Sequence, residues 1–116
     1  MASLGVGSVW LSPIYRSPMK DNGYDIMDYR AIDPSFGSMQ DFDDLVKALH
    51  DNYIQVIMDF VPNHSSDQHE WFKKSVKKEE PYTDYYVWRA GRGNNPPNNW
   101  VKFFALKINS KAIFII

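Results

Sequence analysis

Apolar positions in this chain fall into two short runs separated by a long polar stretch and one periodic segment. "GVGSVWLSP", residues 5–13, reads as a short buried strand: Val6, Val9, Trp10 and Leu11 favour β structure, and Pro13 ends the ladder. The segment "SMQDFDDLVKALHDNY", 38–53, reads as a helix, with Met39, Phe42, Leu45, Val46 and Leu49 at i, i+3, i+4 spacing. Ser38 is its expected N-cap, and Asp41, Asp43 and Asp44 sit near its positive end. "IQVIMDF", 54–60, is a second, near-continuous apolar run, the pattern of a parallel strand buried on both faces. Strand, connection with helix, strand is a βαβ unit, for which a right-handed crossover is expected.

Between the first strand and the helix, residues 14–38 carry the turn signals Asp-Asn-Gly and Phe-Gly-Ser and read as one polar loop. A loop of about 25 residues is usually functional or disordered, and its aromatic content speaks against disorder. "SDQHEWFKKSVKK", 66–78, reads as a short helix, and 81–100 as an irregular aromatic, Gly/Pro/Asn-rich stretch. A lone βαβ unit leaves strand edges and apolar faces uncovered, so the chain reads as a piece of a larger α/β domain.

Composition narrows the function classes. With 13 Lys plus Arg against 14 Asp plus Glu in 116 residues, the net charge is -1, and no basic excess points to nucleic acid. There is no cysteine for disulfides or thiolate metal sites. Residues 1–5 lack the basic and apolar regions of a signal peptide, and the longest apolar run, Ala112 to Ile116, is far below the roughly 20 residues a membrane span needs. Aromatic residues make up 16% of the chain, a share that serves either core packing or a sugar-stacking surface.

The chemistry gathers at strand ends. In parallel sheets and barrels, sites form at the carboxyl ends of strands. Asp59 stands at one such end, and the loop beyond Pro13 carries Asp21, Tyr24 and Asp25. Adjacent strands would bring Asp21, Tyr24, Asp59 and His64 to one rim. Carboxylates accept hydroxyl hydrogen bonds, an imidazole donates one, and an aromatic ring stacks on a sugar face. Each has a plainer reading: Asp59 as a turn cap, Asp21 as turn chemistry, Tyr24 as packing, His64 as a satisfied loop histidine. His69-Glu70 begins a zinc-protease pattern, but Lys73 occupies the place of its second histidine. Asn63-His64-Ser65 is formally a glycosylation sequon, in a place poorly suited to a glycan.

The stretches "GVGSVWLSPIYRSPMKDNGYDIMDYRAIDPSFGSMQDFDDLV", "VIMDFVPNHSSDQHEWF", "DYYVWR" and "NNPPNNW" together closely resemble the α-glucosidases (maltases) of the α-amylase superfamily, glycoside hydrolase family 13, the insect-type maltases above all. The resemblance covers about residues 3–101 in order. It implies an α/β fold that is a fragment of a (β/α)8 TIM barrel, with 5–12 as the second strand and 54–60 as the third. Residues 1–65 would be part of the catalytic barrel, 66–101 the start of a domain inserted after the third strand, and 102–116 an atypical tail. By the same resemblance Asp59 orders the catalytic site, Asp21 binds terminal glucose hydroxyls, Tyr24 stacks on that ring and His64 hydrogen-bonds the glucose. Asp25 and Asn63 support the site.

The family reaction is retaining hydrolysis of an α-glucosidic bond by two carboxyl groups about 5–5.5 Å apart. The nucleophilic Asp, the acid/base Glu and a third Asp come from the fourth, fifth and seventh barrel strands. Those strands are not among these residues, so this chain alone is expected to be inactive. The implied partner is a small oligosaccharide. No cofactor is implied; some family members bind calcium, through ligands not identifiable here. An extracellular or membrane-attached location is the family expectation. The alternative is a non-catalytic heavy-chain subunit of an amino-acid transporter, which carries a similar barrel; the Asp21, Tyr24, Asp25 arrangement favours the enzymes. Tyr53 stands where the family usually has glycine at the helix end, so a weakened cap is expected there.

Overall fold

Leu11 and Met58 lie side by side at the ends of two parallel strands, β1 (Ser8–Leu11) and β4 (Gln55–Met58). The computed structural model describes residues 1–90, 107–108 and 111–112, with side chains described for 1–90. The register pairs Ser8 with Gln55, Val9 with Val56, Trp10 with Ile57 and Leu11 with Met58. The ladder continues at both ends, through Gln55 N–H to the Gly7 carbonyl (2.9 Å) and Asp59 N–H to the Leu11 carbonyl (3.3 Å). Neither strand is buried on both faces as its apolar run implies. Trp10 is 55% and Ile57 49% exposed, because within the described residues this pair has no further strand beside it.

The stretch 14–38 is not one loop. Tyr15–Arg16 (β2) and Asp28–Ile32 (β3) form an antiparallel hairpin with an irregularity between Tyr15 and Arg16. Met27 N–H to the Arg16 carbonyl (2.8 Å) and Asp33 N–H to the Ile14 carbonyl (2.9 Å) extend it. Asp28 and Arg30 alternate with apolar Tyr29 and Ala31, a strand pattern in 28–32 that lies hidden between turn signals and opposite a β2 of only 2 residues. Residues 17–27 are thereby confined to the hairpin tip.

Helix α1 (Met39–Asp51) packs against β3 and β4. Its start is a capping box: the Asp41 N–H donates to Ser38 Oγ (3.2 Å) and the Ser38 N–H to the Asp41 carboxylate (2.7 Å). Gly37 leaves room for that carboxylate, since a Cβ there would lie 2.9 Å from Asp41 Oδ2. Phe42, Val46 and Leu49 turn inward, whereas Met39 and Leu45 stay exposed, so the apolar stripe is narrower than the spacing implies. At the other end Tyr53 N–H bonds the His50 carbonyl (2.9 Å) and Ile54 N–H the Leu49 carbonyl (2.9 Å). This is a Schellman closure, and Leu49 and Ile54 are both buried. It forces Tyr53 to φ 58°, the left-handed region glycine favours, and its side chain is 93% exposed.

The described residues divide into two compact units, Met1–His69 and Glu70–Ile116. In the second, α2 (Glu70–Val76) is shorter than the 66–78 its sequence implies. Phe72 is its anchor, edge-on to Tyr86 (5.2 Å) and stacked on Trp88 (6.0 Å). Ser75 Oγ accepts from Trp88 Nε1–H (2.9 Å) and donates to the Thr83 carbonyl (3.2 Å), fastening the helix to the short 3-10 turn Tyr82–Tyr85. Lys107–Ile108 (β5) and Lys111–Ala112 (β6) pair antiparallel. Much of the irregular stretch 81–100 and most of the tail 102–116 lie outside the described residues.

Two substitutions test α1. Tyr53→Gly removes the left-handed strain and is expected to stabilise the fold by about 1 kcal/mol, seen as a higher midpoint in urea unfolding. Ser38→Ala is expected to cost about 1 kcal/mol. The Ser38 hydroxyl, and then its N–H, hold the Asp41 carboxyl below its ordinary 3.8. That stabilisation is present above 3.8 and lost as pH falls through the lower folded value, so Ser38→Ala should matter least at strongly acid pH.

Candidate functional site

The parallel register delivers two chain segments to one end of the sheet: the hairpin tip 17–27, and residues 59–66 after β4. Residues 59–66 run on without strand or helix, so their backbone groups need partners from elsewhere. Two tyrosines of the hairpin supply them. The Tyr15 hydroxyl donates to the Asp59 carbonyl (3.1 Å). The Tyr29 hydroxyl lies 2.9 Å from the Val61 carbonyl and 2.7 Å from the His64 carbonyl. The Ser66 N–H donates to the carbonyl of Ile26 (2.8 Å), the most deeply buried side chain described. Neither tyrosine stood out in the sequence, where both lie in the polar stretch; pairing across the hairpin is what gives them their role.

Asp25, buried to 4% exposure, organises the tip. Its Oδ1 accepts from Ser17 Oγ (2.8 Å) and the Asp21 N–H (3.1 Å), and its Oδ2 from the Lys20 N–H (3.1 Å). A buried carboxylate so surrounded fixes the backbone carrying Asp21. Gly23 turns the chain at φ 94°, and a Cβ there would meet the Pro13 carbonyl oxygen at 3.0 Å, so no side chain fits.

This frame brings the sequence-singled residues together. The Tyr24 hydroxyl faces the Asp59 carboxylate. The pull of that carboxylate as an acceptor, then partial desolvation, then the charges of Asp59 and Asp21, hold the Tyr24 phenol above its ordinary 10.0. Asp21, Tyr24 and Asp59 therefore share one electrostatic neighbourhood. His64 joins through Nε2, 3.1 Å from the Tyr24 carbonyl, and Asn63 Nδ2 lies 3.0 Å from His64 Nδ1. Tyr24 is thus held at its backbone by the imidazole, with its hydroxyl turned to Asp59. The rim offers two carboxylates as acceptors, a phenol ring and an imidazole, a set matched to a polyhydroxylated ligand. Among the described residues no group of three or more His, Asp or Glu is placed to hold a metal ion, and no helix is long and apolar enough to cross a membrane.

The model of the α-amylase catalytic domain matches residues 1–109. This chain belongs to that family. Maltase 1 of Drosophila virilis is 57% identical over 106 residues, covering 87% of this chain and 17% of the relative. An α-glucosidase of Culex pipiens is 50% identical over 105 residues, covering 90% and 18%. A mutant trehalulose synthase MutB, solved in complex with the substrate sucrose, superposes with TM-score 0.85 at 45% identity, covering 94% of this chain and 21% of that one. The chain thus spans about a fifth of the length of such relatives. Its α/β architecture is that of a segment of the family's (β/α)8 barrel, with β1 and β4 as adjacent parallel barrel strands.

Replacing Asp59 by Asn removes the charge and weakens the acceptor facing Tyr24. The Tyr24 phenol is expected to titrate nearer its ordinary 10.0, followed by the NMR shift of its ring carbon across an alkaline series. In the native chain Tyr24 contributes its stabilisation below that value and loses it as pH rises through the higher folded value; Asp59→Asn should flatten this dependence.

Proposed function

We propose that this chain supplies the terminal-glucose side of the active site of an α-glucosidase, which hydrolyses terminal α-glucosidic bonds of maltose- or sucrose-type oligosaccharides with retention. The reading is carried by one observation: Tyr24 is bonded at its carbonyl by His64 and faces the Asp59 carboxylate, with Asp21 alongside, in a chain 57% identical to a maltase over 106 residues.

In this reading Asp21 accepts hydrogen bonds from hydroxyls of the terminal glucose, and the Tyr24 ring lies against the sugar's C–H face. His64 shares its Nε2 proton between the Tyr24 carbonyl and a further hydroxyl. Asp59 keeps Tyr24 in place and adds negative potential beside the anomeric centre, where an oxocarbenium-like charge develops in the transition state. Asp25 and Asn63 hold the tip and the imidazole. The nucleophile and the acid/base are assigned to barrel strands outside these residues, so no bond-breaking role falls to Asp59 or His64. The MutB structures solved with sucrose and with glucose support a small carbohydrate as the ligand class. A transporter-subunit reading is disfavoured, since the relatives are named α-glucosidase, maltase and oligo-1,6-glucosidase.

The test is Asp21→Ala in a full-length relative that retains this segment. Loss of charge-assisted hydrogen bonds at the terminal glucose is expected to lower kcat/KM on maltose about 100-fold, or about 2.7 kcal/mol. Unchanged kcat/KM would remove Asp21 from the sugar site.

A further inference from the structure

We propose that Asn63 is a positioning residue that fixes the tautomer of His64, keeping the imidazole proton on Nε2. A neutral imidazole carries one proton, and the group facing each nitrogen decides which one holds it. Nε2 lies 3.1 Å from the Tyr24 carbonyl, which can only accept, so this nitrogen must donate. Nδ1 is then bare and needs a donor, and Asn63 Nδ2 stands 3.0 Å away. The orientation of the Asn63 amide therefore does not rest on its own geometry, since the carbonyl on the far side of the ring requires the same answer. The opposite tautomer would set two donors face to face at Nδ1 and two acceptors face to face at Nε2.

The consequence reaches Tyr24. Its carbonyl receives the His64 proton, and its hydroxyl faces the Asp59 carboxylate. A run of hydrogen bonds thus leads from Asn63 through the imidazole to the backbone of Tyr24. The one proton of this tautomer is engaged by the Tyr24 carbonyl, so a ligand oxygen reaches it only by sharing it with that carbonyl or displacing it. Use of that donor by a sugar hydroxyl rests on the glucosidase reading; the tautomer itself does not, so failure of the Asp21→Ala test leaves it standing.

Ring-nitrogen NMR of the uniformly ¹⁵N-labelled 116-residue chain tests the assignment. At about pH 8.5, above the ordinary histidine range, His64 is expected to carry its proton on Nε2 with Nδ1 bare. Asn63→Asp offers Nδ1 only acceptor oxygens, so Nδ1 is expected to gain a proton; the site is exposed, so the change leaves the core intact. A protonated Nδ1 in the native chain, or a bare Nδ1 in Asn63→Asp, overturns the proposal. If Asn63→Asp loses its folded spectrum, the native chain still decides. A scalar coupling across the hydrogen bond between Asn63 Nδ2 and His64 Nδ1 supports the assignment, and its absence with an ordered ring overturns it.

Discussion

The parallel register that sets Leu11 beside Met58 is the constraint on which the site depends. It fixes where Asp59 leaves the sheet, and so which part of the hairpin meets the chain beyond. A slip of one residue would turn Asp59 to the other face and part it from the hairpin tip. The bond from the Asp59 N–H to the Leu11 carbonyl marks the last rung, after which the chain must find its partners in side chains. Tyr15 and Tyr29 meet that need. Their rings pack 6.0 Å apart while their hydroxyls serve carbonyls of residues 59–64, so one pair of side chains contributes both apolar burial and polar satisfaction.

What could be read in the sequence was whatever had a local cause. The two strands, α1 with its Ser38 cap, and the awkward Tyr53 all follow from spacing and short-range sterics. The β2–β3 hairpin escaped because β2 is only 2 residues long, so the alternation of 28–31 has little to pair with, and because much of its purpose lies in long-range contacts such as Tyr29 with Val61. The inward stripe of α1 narrowed to Phe42, Val46 and Leu49 because only that strip meets a neighbour within the described residues. α2 came out shorter because Ser66, expected inside it, instead bonds Ile26 across the molecule.

The site shows the same division. That Asp21, Tyr24, Asp59 and His64 share a rim was inferable from strand ends alone. The means were not: the His64–Tyr24 bond, the Asp25 frame and the Asn63–His64 pair are arrangements no spacing encodes. The structure also separates two kinds of carboxylate that look alike on paper. Asp25 is buried and committed largely to backbone donors, whereas Asp21 and Asp59 are half-buried and act on the same phenol.

The bonds described above, from the Asp21 N–H to Asp25 and from His64 to the Tyr24 carbonyl, lie inside the first unit, Met1–His69. Among the described residues the rim is therefore held by contacts of its own unit. Rewriting the chain beyond residue 69 leaves those particular bonds in place.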